Sequence, residues 1–354
     1  MDKSPPGILA FTMGDPAGIG PEVMLKAFFH RNRQGFPWLY VGDPLPLHRC
    51  SLRMGLNFQP HLVSKASDAK KVASDQLAVY PVKSMLDGNL LFPGQSDVSH
   101  AAVTIESIET ACRLALEREV AAIVTPPINK RVLHQAGFHF PGHTEFLGEL
   151  TQTPQPVMML AGRGLRVVPA TIHIGLNQVA ATLTPQLLRH VITTTYQALQ
   201  VDFGLDKPVL AVTGLNPHAG EDGAFGQEEV EMIQPLCEQL RKEGLAVHGP
   251  LSADSLFHPD SRKRFHAVVC MYHDQALIPI KMLAFGQAVN ITLGLPIVRT
   301  SVDHGTAYDI AGQGIADHRS LLEAALVAET ISRNRFFDPE LESVKSKKRD
   351  RQKR

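Results

Sequence analysis

Three histidines follow three apolar stretches that are typical of buried strands. His173, His218 and His273 lie in the strings VVPATIHIGL, VLAVTGLNPHAG and AVVCMYHDQALIP. Ligands of open α/β sheets bind where the strands end, and three neutral imidazoles that meet in one place can hold a divalent metal with one coordination position open. The pattern therefore indicates metal-assisted chemistry on a small molecule.

The spacing of these three residues is not diagnostic by itself. The chain has 16 histidines, and gaps of 45 and 55 residues match no metal-binding motif. The same residues also fit ordinary surface or hydrogen-bonded histidines, so both interpretations stay open on spacing alone.

Other polar loops carry residue types that suit an anionic substrate. GHTEFL (142–147) offers His143 and Thr144, which either cap a helix or bind a substrate hydroxyl or carboxylate. Lys281 and Arg299 supply two cations suited to a phosphate or carboxylate, and buried structural ion pairs are the alternative. DHGTAYDIAG (303–312) is a glycine-bearing loop that we expect against a cofactor.

The elements that position these loops alternate between strand and helix. Residues 8–13 (ILAFTM) read as a buried strand that runs into the glycine-rich turn GDPAGIG and a first helix. Helical periodicity covers 100–119, 184–200, 228–244 and 320–337. This rhythm predicts an α/β fold with a parallel sheet covered by helices on both faces.

Composition excludes several classes of protein. At 354 residues with 44% hydrophobic content and zero net charge, the chain is typical of an ordinary globular protein of two domains or one large domain. Its last ten residues carry a charge of +6, which we interpret as a solvated end rather than a nucleic-acid site. No apolar run suits a signal peptide or a membrane span, and four scattered cysteines predict reduced thiols in the cytoplasm.

Seven motifs in this order resemble those of the 4-hydroxythreonine-4-phosphate dehydrogenase family of pyridoxal 5′-phosphate biosynthesis. They are TMGDPAGIGPEV, TPPINK, GHTEF, NPHAGE, GPLSAD, YHDQALIPIK and VNITLGLPIVRTSVDHGTAYDIAG, and the resemblance runs from about residue 8 to residue 335. The string HIGLNQV after His173 departs from the family, in which many members have proline near Gly175. GIGPEV and the HGTA loop also resemble the wider isocitrate and isopropylmalate dehydrogenase group.

The resemblance implies two α/β/α domains with a cleft between them, of the isocitrate/isopropylmalate dehydrogenase-like kind. We expect 1–132 plus 285–338 to form the first domain with the cofactor loop, 133–284 the second domain with the metal site and dimer contacts, and 339–354 a disordered basic tail. The resemblance also implies a homodimer whose active site is shared between the two chains. The lack of a long apolar run and the net negative charge of the chain before its last ten residues argue against a membrane or nucleic-acid partner.

The same resemblance assigns site residues. It implies metal ligation by His173, His218 and His273, with zinc, magnesium, manganese or cobalt as the ion. It implies substrate binding by His143, Thr144, Lys281, Asn290 and Arg299. It implies contact with NADP or NAD by His304, Gly305, Thr306 and Ala307. Lys281, His143 and Asp254 are the candidate general bases, in that order.

The implied reaction oxidises the secondary hydroxyl of 4-phosphohydroxy-L-threonine. The product, 2-amino-3-oxo-4-phosphooxybutanoate, loses CO2 to give 3-amino-2-oxopropyl phosphate. Sister enzymes that oxidise 4-phosphothreonate or 4-phosphoerythronate share most of the motifs, so these substrates are the first alternative. A phosphate acyltransferase of the same fold is a more distant one.

Overall fold

The chain folds into two compact α/β units. The structure, a computed structural model, describes residue 5 and residues 7–337, so the tail predicted at 339–354 lies outside the described residues. The first unit ends at Pro156 and resumes at Leu295, and the second unit runs Val157–Gly294.

The first unit contains a parallel sheet in the order β3-β4-β2-β1-β5-β12. Its strands are β1 (Leu9–Thr12), β2 (Trp38–Val41), β3 (His61–Leu62), β4 (Ala78–Tyr80), β5 (Ala122–Thr125) and β12 (Arg299–Val302). Every residue of β1, β2, β5 and β12 is buried. Such continuous burial is expected where helices cover both faces of a parallel sheet.

The helices of the first unit follow its strands. They are α1 (Gly20–His30), α2 (Leu45–Arg53), α3 (His100–Leu116), α4 (Lys130–Gln135), α5 (His143–Leu150) and α12 (Arg319–Ser332). Pro21 lies in the first turn of α1, where its missing N–H group leaves no intrahelical bond unmade.

The second unit contains a mixed sheet in the order β11-β6-β7-β10-β8-β9. Its strands are β6 (Val157–Gly162), β7 (Leu165–Pro169), β8 (Val209–Thr213), β9 (Ala246–Leu251), β10 (Ala267–Cys270) and β11 (Val289–Leu293). β6 runs antiparallel to both β11 and β7, and the remaining pairs are parallel. Arg163 and Gly164 connect β6 to β7 with positive φ angles of 45° and 79°, as a tight hairpin requires.

The helices of the second unit include one that opens with a wider turn. They are α6 (Val179–Thr182), α7 (Pro185–Val201), α8 (Gln234–Lys242), α9 (Ala253–Leu256), α10 (Pro259–Arg262) and α11 (His273–Ala284). A π-helical turn over Glu229–Ile233 precedes α8. The helix predicted over 228–244 is therefore irregular at its start, where Pro235 removes one backbone donor.

The unit boundaries lie later in the chain than the expected breaks after residues 132 and 284. Residues 133–156 belong to the first unit because α5 packs on α3. Residues 285–294 belong to the second because β11 pairs with β6 along its whole length. Both attachments are tertiary, so local sequence patterns do not reveal them.

The predicted α/β class is confirmed, with helices and parallel strands alternating in both units. Cys50, Cys112, Cys237 and Cys270 are buried and not in disulfides. Within the described part of the chain, no helix has the length and apolar character needed to cross a membrane.

Candidate functional site

Three neighbouring parallel strands of the second unit deliver the three predicted metal ligands. β7, β10 and β8 lie side by side, and His173, His273 and His218 follow their respective carboxyl ends. The three histidine-bearing loops therefore leave the sheet from the same edge, as their positions after apolar runs predicted.

Two of the three imidazoles lie close together. The ring centroids of His173 and His273 are 5.8 Å apart, and both residues line a cavity of about 310 Å³ together with Tyr272 and Asp274. Nδ1 of His273 is 2.6 Å from Oδ1 of Asp274. A carboxylate in this position fixes the orientation of an imidazole and leaves Nε2 available to a ligand.

His218 lies on a loop with unusual backbone geometry. Five consecutive residues, 218–222, have left-handed φ angles between 43° and 81°, and His173 also has a positive φ of 51°. Non-glycine residues adopt this region at an energetic cost, and such residues cluster at functional sites.

The full metal triad is not assembled within the described residues. The ring centroid of His218 lies 6.0 Å from that of Phe225, and no group of three His, Cys, Asp or Glu side chains among residues 5 and 7–337 could hold a metal ion. The donor chemistry of the His173–His273 pair fits a divalent metal.

Hydrogen bonds tie the three loops to one another. Thr171 Oγ1 donates to Met271 O at 2.8 Å. Oε1 of Gln275 accepts from Met271 N and Thr213 Oγ1, both at 2.7 Å, while its Nε2 donates to Gly214 O at 2.8 Å. Gln275 was not predicted from the sequence, although a polar residue two positions after His273 in YHDQAL was a usable signal.

A buried guanidinium marks a second cluster, in the first unit. Arg299 is 3% exposed, and its Nε and Nη2 donate to Thr125 Oγ1 at 3.2 and 2.8 Å. Burial lowers the pKa of Arg299 to about 10, and the negative charge of Glu145 acts in the opposite direction. A desolvated guanidinium suits bidentate binding of a carboxylate or phosphate.

His143 begins α5 beside this guanidinium. Burial, followed by the charges of Arg299 and Lys130, lowers the pKa of His143 well below its usual value, so the ring is neutral at pH 7. Its Nε2 is buried without a hydrogen-bond partner in the described structure. The alternative capping role is not observed, because Gly142 occupies the N-cap position and no side chain caps the helix. Thr144 follows and is half-buried.

The remaining predicted substrate and base residues lie in the second unit. Lys281 is half-buried in the last turn of α11, and Asn290 on β11 buries Oδ1 without a hydrogen-bond partner in the described structure. Asp254 is exposed, and its hydrogen bond with Ser252 lowers its pKa. A lowered pKa makes Asp254 a weak general base at neutral pH.

The predicted cofactor loop is packed against the glycine-rich turn in the first unit. Ile19 N donates to Thr306 O at 2.9 Å, and a methyl group at Gly18 would lie 2.9 Å from the same oxygen. His304 buries Nε2 without a hydrogen-bond partner in the described structure, and Ala307 has a left-handed φ of 44°. Gly305 is exposed beside them.

A tyrosine joins this loop to two other motifs. Tyr308 Oη donates to Asp15 Oδ2 at 2.5 Å and accepts from Asn129 Nδ2 at 2.7 Å. Asp15 also accepts from Ala17 N at 2.8 Å, which stabilises the turn. Tyr308 lies within the predicted cofactor loop, but its own role could not be predicted because its partners are distant in sequence.

Comparisons with known proteins agree with the motifs. The family model of the pyridoxal phosphate biosynthetic protein PdxA matches residues 36–328. A 4-hydroxythreonine-4-phosphate dehydrogenase from Ruegeria sp. (strain TM1040) is 48% identical over 331 residues, which cover 93% of this chain and 98% of the relative.

Solved structures give the same result. The 4-hydroxythreonine-4-phosphate dehydrogenase from Klebsiella pneumoniae superposes with a TM-score of 0.82 at 38% identity, covering 92% of this chain and 99% of that one. A terephthalate 1,2-cis-dihydrodiol dehydrogenase from Burkholderia xenovorans LB400 gives a TM-score of 0.63 at 31% identity, covering 92% and 98%. The resemblance inferred from the motifs is confirmed, and the chain belongs to the family of the pyridoxal phosphate biosynthetic protein PdxA.

Proposed function

We propose that this protein oxidises 4-phosphohydroxy-L-threonine at its secondary hydroxyl, in pyridoxal 5′-phosphate biosynthesis. The observation that carries the proposal is family membership along nearly the whole chain, with relatives named 4-hydroxythreonine-4-phosphate dehydrogenase. The chain is thus an oxidoreductase of secondary alcohols. The oxidised β-keto acid loses CO2 to give 3-amino-2-oxopropyl phosphate, and the free, buried thiols fit a reducing cytoplasm.

Arg299 and His143 bind the anionic part of the substrate. Arg299 offers a desolvated positive charge, and the neutral ring of His143 offers Nε2 as an unused hydrogen-bonding atom. Thr144 follows His143 in the first unit and is assigned to substrate binding with it, and Lys281 and Asn290 are assigned to substrate binding in the second unit.

A divalent metal and a nicotinamide dinucleotide supply the chemistry that side chains lack. His173, His218 and His273 hold the metal, which when bound acts as a Lewis acid and lowers the pKa of the substrate hydroxyl. NAD or NADP, when bound against residues 304–307, accepts the hydride. The unpartnered Nε2 of His304 supports this assignment, because buried polar atoms ordinarily have a partner.

Lys281 and His143 are the stronger candidates for the general base. The lowered pKa of Asp254 makes its carboxylate a weak base, and the lowered pKa of His143 weakens its ring as a base in the same way, although it leaves the ring neutral at pH 7. Lys281 is favoured through its position on the helix that begins at His273.

A second copy of the chain covers α11 in the active enzyme. Ile278, Met282 and Phe285 are 66%, 84% and 83% exposed along one side of this helix. Exposed apolar patches of this kind mark interaction surfaces. Since the same helix begins at His273, a partner seated on it is well placed to complete the metal site.

A substrate panel tests the proposed reaction. Purified protein is incubated with 4-phosphohydroxy-L-threonine, each dinucleotide and each of Zn²⁺, Mg²⁺, Mn²⁺ and Co²⁺, and formation of reduced dinucleotide is followed by absorbance. We expect turnover that chelation abolishes and added metal restores. Turnover that survives exhaustive chelation, with no metal found by elemental analysis, would remove the metal from the proposal.

A related substrate is the second candidate. A dihydrodiol dehydrogenase shares this architecture at 31% identity, so the fold accepts alcohols other than the one named by the family. 4-Phosphothreonate and 4-phosphoerythronate belong in the same panel. A higher kcat/KM for either of them would reassign the substrate and leave the reaction class unchanged.

A further inference from the structure

A buried carboxylate lies behind the loop that carries His218. Glu229 is 2% exposed, and its Oε1 accepts hydrogen bonds from the backbone N–H groups of Leu215 and Asn216 at 2.7 and 2.8 Å. Its Oε2 accepts from Asn216 Nδ2 at 2.9 Å. One carboxylate therefore holds three donors at the point where the chain leaves β8.

The loop is wrapped tightly around this carboxylate. A methyl group at Gly220 would lie 2.6 Å from Oε2 of Glu229, and one at Gly214 would lie 3.0 Å from Oε1. Gly214 precedes His218 and Gly220 follows it, so the chain passes the carboxylate on both sides of the histidine. Only residues without a side chain fit at these two positions.

The carboxylate opposes the strain of the left-handed stretch. Residues 218–222 all have left-handed backbone angles, which are unfavourable for residues other than glycine. Hydrogen bonds to an ionised acceptor in a buried position are stronger than neutral ones. The imidazole of His218 is exposed, so its position depends on the backbone that presents it.

We propose that Glu229 is a positioning residue, which fixes the left-handed loop and thereby sets the place of the His218 imidazole for metal binding. The metal part of this inference rests on the proposed function. The structural part, that the carboxylate holds the loop, stands on the hydrogen bonds and close approaches given above.

Glu229→Gln tests the inference. The amide keeps the size of the side chain, but its Nε2 donor then faces the Nδ2 donor of Asn216, so that hydrogen bond is lost. Glu228→Gln is the matched control, because Glu228 accepts from that same Asn216 Nδ2 at 2.8 Å but, within the part of the chain that the structure describes, makes no side-chain hydrogen bond to the loop backbone. Hydrogen–deuterium exchange of the 214–223 segment is measured on the full-length protein, together with binding of Co²⁺ followed by its visible absorption.

We expect Glu229→Gln to speed exchange in this segment at least tenfold and to weaken Co²⁺ binding about tenfold, while Glu228→Gln stays near wild type in both. Wild-type exchange and wild-type Co²⁺ affinity in Glu229→Gln would overturn the inference. If Glu229→Gln fails to fold, Glu229→Asp, which keeps the charge and shortens the reach, takes its place with the same expectations.

The two measurements separate this inference from the proposed function. Failure of the wild-type protein to bind Co²⁺ would remove the metal site, and the exchange result would still decide whether Glu229 holds the loop. Normal Co²⁺ binding by wild type with unchanged exchange in the variant would remove only the role of Glu229.

Discussion

At the scale of single residues, His143 has a protonation state set by its surroundings. Burial and the nearby cations Arg299 and Lys130 keep its ring neutral in the folded chain. The unfolded chain returns this histidine to its ordinary pKa near 6.5. Below that pH the unfolded state binds a proton that the folded state does not, so folding stability falls as the pH falls.

We therefore expect His143 to contribute to acid sensitivity. Between about pH 7.5 and about pH 5.5 this one residue should cost about 1 kcal/mol of unfolding free energy. His143→Asn should lose correspondingly less stability over the same interval, measured by urea denaturation at both pH values. An identical loss in wild type and variant would show that the ring is not held neutral in the folded state.

Arg299 provides a second residue-scale prediction. Lysine keeps the charge but not the paired donors of the guanidinium. We expect Arg299→Lys to raise the KM for the phosphorylated substrate about tenfold, which corresponds to about 1.4 kcal/mol, and to leave the circular dichroism spectrum unchanged. Arg163→Lys, in the β6–β7 hairpin, is the control. An unchanged KM would place the anionic group elsewhere.

At the scale of elements, Tyr308 joins the proposed cofactor loop to Asp15 of the glycine-rich turn and to Asn129 before α4. Removing its hydroxyl costs two hydrogen bonds, to Asp15 and from Asn129. Two such bonds contribute about 2 kcal/mol together, so Tyr308→Phe should raise the Kd of the dinucleotide by up to about thirtyfold. Fluorescence titration measures the Kd, with Tyr196→Phe on α7 as the control. An unaltered Kd in Tyr308→Phe would show that residues 304–307 do not bind the dinucleotide.

The left-handed loop shows why some elements resist prediction from sequence. Apolar runs such as AVVC and VLAV revealed strands β10 and β8, since residues buried on both faces of a parallel sheet are apolar throughout. The polar string after β8 indicated a loop but not its handedness, because that depends on Glu229 from beyond the loop. Left-handed backbone angles cost about 1–2 kcal/mol for each of the four non-glycine residues of the 218–222 stretch. Only tertiary contacts can maintain a conformation with this cost.

Some residues of the candidate site could be predicted from the sequence and others could not, for the same reason. The position of His173, His218 and His273 after strands could be predicted, because each follows an apolar run that is typical of a buried strand. Gln275 and Thr125 were missed, since their roles arise from hydrogen bonds to residues far away in the chain. The unit boundaries depend on packing of α5 and pairing of β11, which are also non-local.

At the scale of the whole molecule, association of two chains is the main prediction. Met282→Glu places a charge in the middle of the exposed apolar side of α11. We expect this variant to sediment as a monomer in analytical ultracentrifugation where wild type sediments as a dimer. Leu52→Glu, which alters an exposed leucine of the first unit, should remain dimeric. A dimeric Met282→Glu protein would move the interface to another surface.

Helix α11 has His273 at its first residue and the apolar surface along its length. If one partner chain restrains both, mass action links turnover to subunit concentration. Specific activity would then decline on dilution and recover on reconcentration, with a midpoint at the dissociation constant of the subunits. A cell holding few copies of this protein would have less activity per copy than a cell holding many.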